Sequence, residues 1–287
     1  MRKITGFVFV LLLVSMLVLV SCNAEPGTTD KKGEKSEYNS EGHLTKITVY
    51  YESGAKKTES IYDGTSARLI VSEINYDESG KVTETKGYNS EGELSKTISF
   101  YESGVKKSET TYDGTPDQKK TGLIYYDESG NVTGRNEYND EGYRSKYTSY
   151  YSSGVTRLEN IYDGASTQKT LSQIYYDESG NLTRKNEYNA EGHPTKMTTF
   201  YASGEKELEV IYDGTSARKY VSRSDYDVAG VKTGTYEYNE SGYCSKFIAF
   251  YASGEKKYEI IYDGTSARNT VGRIDYDESG NVTSETY

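Results

Sequence analysis

The sequence predicts an all-β chain, built as an elongated antiparallel β-meander of hairpin repeats. Three observations predict it. A 50-residue unit recurs five times without insertion or deletion, over 38–87, 88–137, 138–187, 188–237 and 238–287. Each copy carries four tyrosine–glycine pieces, whose tyrosines step by 13, 11, 14 and 12 residues. In the second copy these pieces begin at Tyr88, Tyr101, Tyr112 and Tyr126. The stretches between them are rich in Thr, Val, Ile, Tyr and Phe, as strands are. A fixed period of this length marks a repeat array, and such arrays expose extended surfaces more often than they enclose one catalytic centre.

The chain opens on a short basic start, Met1-Arg2-Lys3, followed by an uncharged apolar run over 4–21. This order, with Leu19-Val20-Ser21 before Cys22, reads as a signal peptide over 1–21. The run Leu19-Val20-Ser21-Cys22 resembles a bacterial lipobox. The resemblance implies that Cys22 becomes the N-terminus and carries acyl chains, which would tie the protein to a bilayer. Residues 22–37 follow as the lipidated cysteine and a flexible tether, polar and without an aliphatic run.

Within each copy the turns are legible. Asp-Gly pairs such as Asp63-Gly64 are strong hairpin signals. The Glu-Ser-Gly pieces put glycine where a longer hairpin loop needs a left-handed residue. About twenty strands result, with no apolar stripe at helical spacing behind a cap in the repeat region. Positions 50, 100, 150, 200 and 250 are Tyr or Phe, and Tyr51, Tyr101, Tyr151, Tyr201 and Tyr251 follow them. Neighbouring strand residues point to opposite faces. Both faces are therefore expected to carry an aromatic row, covered by long Lys and Glu side chains. The recurring lysines (Lys46 and its equivalents) and glutamates (Glu59 and its equivalents) are expected to face solvent and pair across strands.

Composition narrows the function. The net charge is −10, and loss of Arg2 and Lys3 with the signal peptide makes it −12. An acidic, evenly spread charge disfavours nucleic acid as a partner. With Cys22 assigned to lipidation, Cys244 has no thiol to pair with. His43 and His193 flank turns, and no catalytic, phosphate-binding or metal-binding motif is present, so neither an enzyme nor a cofactor is expected. The Asp-Glu-Ser-Gly turns lack the ligand spacing of a calcium loop.

The segments Tyr126–Thr133, Tyr176–Thr183 and Tyr276–Thr283 resemble the YD repeats of RHS-type bacterial surface and toxin-carrier proteins. Tyr50–Gly64 and Phe250–Gly264 are similar to MORN-variant repeats of bacterial lipoproteins and of an antitoxin-like family. Both resemblances imply antiparallel hairpin repeats without catalysis inside them. The YD likeness makes a spiral hairpin shell an alternative to the open meander. Four strands in each of five copies also match a five-bladed propeller.

The expected protein is a membrane-anchored lipoprotein of the bacterial cell envelope, at the cell surface or outer membrane. Its sheet would bind a protein or glycan. Tyr51, Tyr101, Tyr151, Tyr201 and Tyr251 are candidate contacts, because tyrosine gives large contact area at low entropic cost. The most varied segment, 65–75 and its equivalents, is a further place for contacts. The alternatives are an antitoxin-like immunity protein and a structural envelope spacer.

Overall fold

The computed structural model describes residues 29–31 and 33–287. The signal peptide and Cys22 lie outside them. The chain forms one open sheet of 22 strands. It starts with β1 (Thr29–Lys31) and β2 (Glu34–Tyr38). The first copy supplies β3 (Leu44–Tyr50), β4 (Lys56–Tyr62), β5 (Ile70–Tyr76) and β6 (Val82–Tyr88). The second supplies β7 (Leu94–Phe100), β8 (Lys106–Tyr112), β9 (Lys120–Tyr126) and β10 (Val132–Tyr138). The third adds β11 (Arg144–Tyr150), β12 (Thr156–Tyr162), β13 (Thr170–Tyr176) and β14 (Leu182–Tyr188). The fourth adds β15 (Pro194–Phe200), β16 (Lys206–Tyr212), β17 (Tyr220–Tyr226) and β18 (Lys232–Tyr238). The last adds β19 (Cys244–Phe250), β20 (Lys256–Tyr262), β21 (Thr270–Tyr276) and β22 (Val282–Thr286).

Each strand pairs antiparallel with the next, and among the described residues no strand touches any but its sequence neighbours. The sheet is therefore one layer thick, on the order of 100 Å long at ~4.8 Å per strand. Its continuity excludes five separate propeller blades. The tether expected over 22–37 is shorter than its composition suggests, because β1 and β2 extend the array into it. Pairing with β3 orders β2 despite its polar sequence.

Three of the four turns in each copy share one design. In the first, Asn39 N–H donates to the carbonyl of His43 and Gly42 N–H donates back to Asn39. Tyr51–Ala55 and Asp77–Lys81 do the same. The glycine takes the left-handed conformation, φ +79° at Gly42 and +84° at Gly80, which a side chain would resist. The Asp-Gly turn departs from the tight hairpin read from the sequence. It runs from Asp63 to Leu69, with left-handed residues at Gly64 and at Arg68 (φ 56°). The Asp63 carboxylate explains the longer path, since it accepts from the N–H and hydroxyl of Thr65 and holds Asp63 as a cap.

Beside every one of these turns the second strand carries one extra residue, a β-bulge. Glu37 pairs with Lys46 but Tyr38 pairs with Leu44, leaving Thr45 over. Its hydroxyl donates to the Glu37 carbonyl at 3.1 Å, and Ser95, Thr195 and Ser245 repeat the contact in their own copies. Bulges increase twist.

The two rims are stapled by side chains. On one rim Asn39 Nδ2 donates to the Gly64 carbonyl at 2.8 Å, linking one turn to the next. Asn89, Asn139, Asn189 and Asn239 bond Gly114, Gly164, Gly214 and Gly264 in the same way. On the other rim the Tyr51 hydroxyl donates to the Tyr76 carbonyl at 2.8 Å, and the equivalent tyrosines repeat it. Every staple spans 25 residues, so the 50-residue copy is mechanically two similar halves.

These bonds predict a ranking. Asn189→Ala removes the staple to Gly214 and the caps on Glu191 and His193. It should cost about 1–3 kcal/mol, because three bonds are lost at once, two of them half-buried. Tyr201→Phe removes one bond and should cost about 1 kcal/mol. Urea unfolding of the two variants measures both, and equal midpoints to the parent would show that the rims do not hold the sheet.

Candidate functional site

The cross-strand register sorts the side chains into two faces, because paired residues share a face and residues two apart along a strand share it too. One face has a central row that runs Thr48, Glu59, Ile74, Thr85, Ile98, Glu109 and onward to Glu285. Two of its four positions hold across the copies. The Glu59 position is Glu in every copy and the Ile74 position is Ile in all but Ser224, while the Thr48 position alternates between Thr and Ile and the Thr85 position is Thr, Arg, Lys, Thr and Glu in turn. We call this the constant face.

Its charges are partners of one another. Glu59 is only 7% exposed, and its carboxylate receives Lys46 at 2.9 Å, Lys56 at 2.8 Å and the Tyr76 hydroxyl. Lys96 and Lys106 hold Glu109, Lys196 and Lys206 hold Glu209, and Lys246 and Lys256 hold Glu259. In the third copy Lys146 and Tyr176 hold Glu159, Thr156 standing where the second lysine would be. Burial pushes the Glu59 carboxyl up, but the three donors overcome it and hold it down at about 2. Burial and the bond to Glu59 push the Tyr76 hydroxyl up to about 12.

The opposite face has a central row that runs Ser36, Ile47, Ser60, Glu73, Lys86, Thr97 and onward to Thr286. Here the copies disagree. The Ile47 position is Ile, Thr, Tyr, Met and Phe in turn, and the Ser60 position is Ser, Thr, Asn, Val and Ile. The Glu73 position is Glu, Leu, Gln, Arg and Arg. We call this the variable face.

Its chemistry changes along the array. The first copy places Glu73 against Lys86 at 2.7 Å. The middle row is Asn136, Tyr147, Asn160, Gln173 and Asn186. The end is aromatic and basic: Tyr236 packs on Phe247 at 4.6 Å, and Arg273 lies over Tyr258 at 4.4 Å.

In the middle of this face lie two troughs, of about 510 and 560 Å³, that share Tyr125, Asn136 and Arg144. Asn136 is 3% exposed, and its Oδ1 has no protein partner. Asn160 Oδ1, Arg144 Nε and Arg184 Nε are also unpartnered. An unpaired buried polar atom costs on the order of 1–3 kcal/mol, so these four, with Thr97 Oγ1 as a fifth on the same face, form a local cost to the fold.

The tyrosines expected to form a face row, Tyr51, Tyr101, Tyr151, Tyr201 and Tyr251, are instead the rim staples. Each begins a turn outside the strand, so strand alternation does not apply to it. Their hydroxyls are committed to the fold. The Tyr101 ring still reaches the first trough, where it meets Tyr125, Asn136 and Tyr147. Of the varied segment 65–75, residues 65–69 are rim turn, while Glu73 and Asn75 and their equivalents point to the variable face. The residues missed in sequence are the 47, 60 and 86 positions beside them. Their copy-to-copy variation was the available signal. Cys244 is buried, and burial pushes its thiol up.

No family model matches the chain, and no curated protein matches it. Among solved structures, a TcdB2–TccC3 toxin complex is similar at 12% identity, covering 90% of this chain and 18% of that one, with a TM-score of 0.23. The Photorhabdus luminescens Tc holotoxin pore is similar at 14% identity, 88% and 15% coverage and a TM-score of 0.21. S. aureus TarM is similar at 14% identity, 35% and 19% coverage and a TM-score of 0.26. The chain thus spans about a fifth or less of the length of these three proteins.

The constant-face networks set a pH dependence. Glu59 has a folded value near 2 against an ordinary 4.5, so its stabilisation is present above 4.5 and drains away as pH falls toward 2. Tyr76 has a folded value near 12 against an ordinary 10.0, so its contribution is present below 10 and is lost as pH rises through 12. Melting temperature should fall on both sides. Glu59→Gln should flatten the acid limb and lower stability at neutral pH, and an acid limb as steep as the parent's would refute this assignment.

Proposed function

We propose that this chain is a non-enzymatic, lipid-anchored protein of the bacterial cell envelope whose variable face is a binding scaffold. The observation that carries the reading is the contrast between a face whose Lys46–Glu59 pair recurs in every copy and an opposite central row in which all four positions vary. Copies of a unit that keep an internal ion pair while varying every position of one row keep a fold and diversify a surface. The changes are not neutral filler: they replace charge with amide and amide with aromatic rings along a continuous row. The lipobox-like Leu19-Val20-Ser21-Cys22 supports anchoring, and the Tyr-Asp-x-x-Gly pieces support membership among YD or MORN-variant repeat lipoproteins.

Two measurements test the reading. A photo-crosslinking residue in place of Tyr147 on the variable face should trap a partner on intact cells, and one in place of Ile174 on the constant face should not. Crosslinks from position 174 alone would reverse the assignment of the faces. Fatty-acid labelling should be present in the parent and absent in Cys22→Ala, and label retained on that variant would remove the anchor.

A further inference from the structure

We propose that the array is an extensible arm: under a pull along its length it releases one 50-residue copy at a time, and it takes the copies back when the pull ends. This mechanical role is separate from binding and holds whichever ligand the variable face takes.

The direction of load comes first. Among the described residues β1 pairs only with β2 and β22 only with β21, so these strands are the two ends of the array. The lipobox-like segment precedes β1. A pull between a bilayer and the far copies therefore runs across the strands. In an antiparallel ladder the N–H···O bonds lie along that same direction. The load enters an outermost strand at one end, so its bonds open one after another instead of sharing the load. No packing against a second layer resists, because each strand touches only its sequence neighbours. Removing an outer strand leaves the rest of the sheet as it was, which is the condition for stepwise unfolding of a repeat array.

The rim staples set the size of the step. In the first copy the Asn39–Gly64 staple encloses β3 and β4, and the Tyr51–Tyr76 staple encloses β4 and β5. The two interlock, so these three strands are tied as one block. β6 lies between Tyr76 and Asn89, and neither kind of staple encloses it. A peel that starts at β22 meets the staple at Tyr276, then the one at Gly264, and no further Asn or Tyr staple until Tyr226. Resistance thus recurs once per copy. Two copies carry an extra tie: Lys169 Nζ donates to the Ala190 carbonyl at 2.9 Å across β13 and β14, and Lys219 Nζ donates to the Glu240 carbonyl at 2.8 Å across β17 and β18. Leu69 stands at this position in the first copy and cannot make the bond.

The gain in length is large. Fifty extended residues reach about 170 Å, and the four strands they leave occupy only about 20 Å of sheet. Each copy released therefore adds about 150 Å. Recovery is local, because the partner of every strand is its neighbour in sequence and no long loop has to close.

Optical-trap stretching of the full chain in detergent, with a handle fused at each end, tests this. The expected trace is a staircase of gains of about 150 Å, seen again when the relaxed chain is stretched a second time. A single rip of the whole array, steps of no common size, or failure to shorten on relaxation would each overturn the proposal. Asn189→Ala with Tyr201→Phe removes both staples of the fourth copy. It should lower the force of one step and leave the others as they were. Tyr201→Phe alone, which removes one hydroxyl, should do the same to a smaller extent, and forces unchanged in both variants would refute the staples as the origin of the step. If the array rips as one body while position 147 still crosslinks a partner, the arm is refuted and the scaffold reading stands. If the staircase appears while position 147 crosslinks nothing, the scaffold reading falls and the arm stands.

Discussion

Each strand of this sheet touches only the strand before it and the strand after it, so among the described residues no second layer covers either face. Hydrophobic burial, the main source of stability in folded domains, is therefore scarce. Few apolar side chains are buried among the described residues, Leu44, Val210 and Ile248 among them. Stability has to come from the ladder itself and from contacts that run along it. The rim staples supply one set, each turn held to another on its rim through Asn or Tyr. The Lys–Glu–Tyr networks supply another, placing a charge-assisted bond across strands at a fixed point of every copy. Long lysines over tyrosine rings, such as Lys57 over Tyr51 at 5.6 Å, supply a third while shielding apolar area.

This economy explains the acidity of the chain. Many carboxylates have turn work: Asp77 accepts from Ser79 and Lys81, and Asp127 accepts from Ser129 and Asn131. Those side-chain and backbone bonds hold the Asp77 and Asp127 carboxyls below their ordinary range, against a smaller opposing push from desolvation. Others are the Glu59 row. The negative charge is thus tied to turn closure and cross-strand pairing. It need not describe the ligand, because the centre of the variable face can be free of carboxylates in a protein that is acidic as a whole.

The repeat, three of the four glycine turns of each copy, the meander and the mutual pairing of the lysine and glutamate rows were legible in the sequence, since each depends on short-range chemistry. The longer Asp63–Leu69 turn and the burial of Glu59 and Glu259, expected to face solvent, were not. The faces were not, and the bulges are the physical reason. Counting by twos from Leu44 puts Leu44, Lys46 and Thr48 on one side. The extra residue Thr45 resets the alternation, so Leu44 joins Ile47 on the variable face while Lys46 and Thr48 take the constant one. A bulge accompanies nearly every hairpin, and each erases the parity a reader would carry into the next strand. Tyr51 failed for a related reason. It looks like a strand residue by composition, yet it occupies the same turn position as Asn39 and Asp77, where its hydroxyl can reach the neighbouring turn.

The same bulges make diversification affordable in physical terms. Because the constant face holds the register through Glu59 and its equivalents, the opposite row is released from any role in pairing beyond its backbone. Its side chains can change from Ile47 to Thr97 to Tyr147 without loss of strand order. The glycines on this face show how closely the changes are still fitted. A side chain at Gly134 would meet the Tyr147 ring at 3.1 Å, and one at Gly234 would meet Phe247 at 2.9 Å. Large rings entered the 47 position in the third and fifth copies where the facing strand has glycine, whereas Ile47 faces Glu34 and Thr97 faces Glu84 diagonally. In these two copies the large ring and the facing glycine occur together, so the space the ring needs is supplied by the strand beside it.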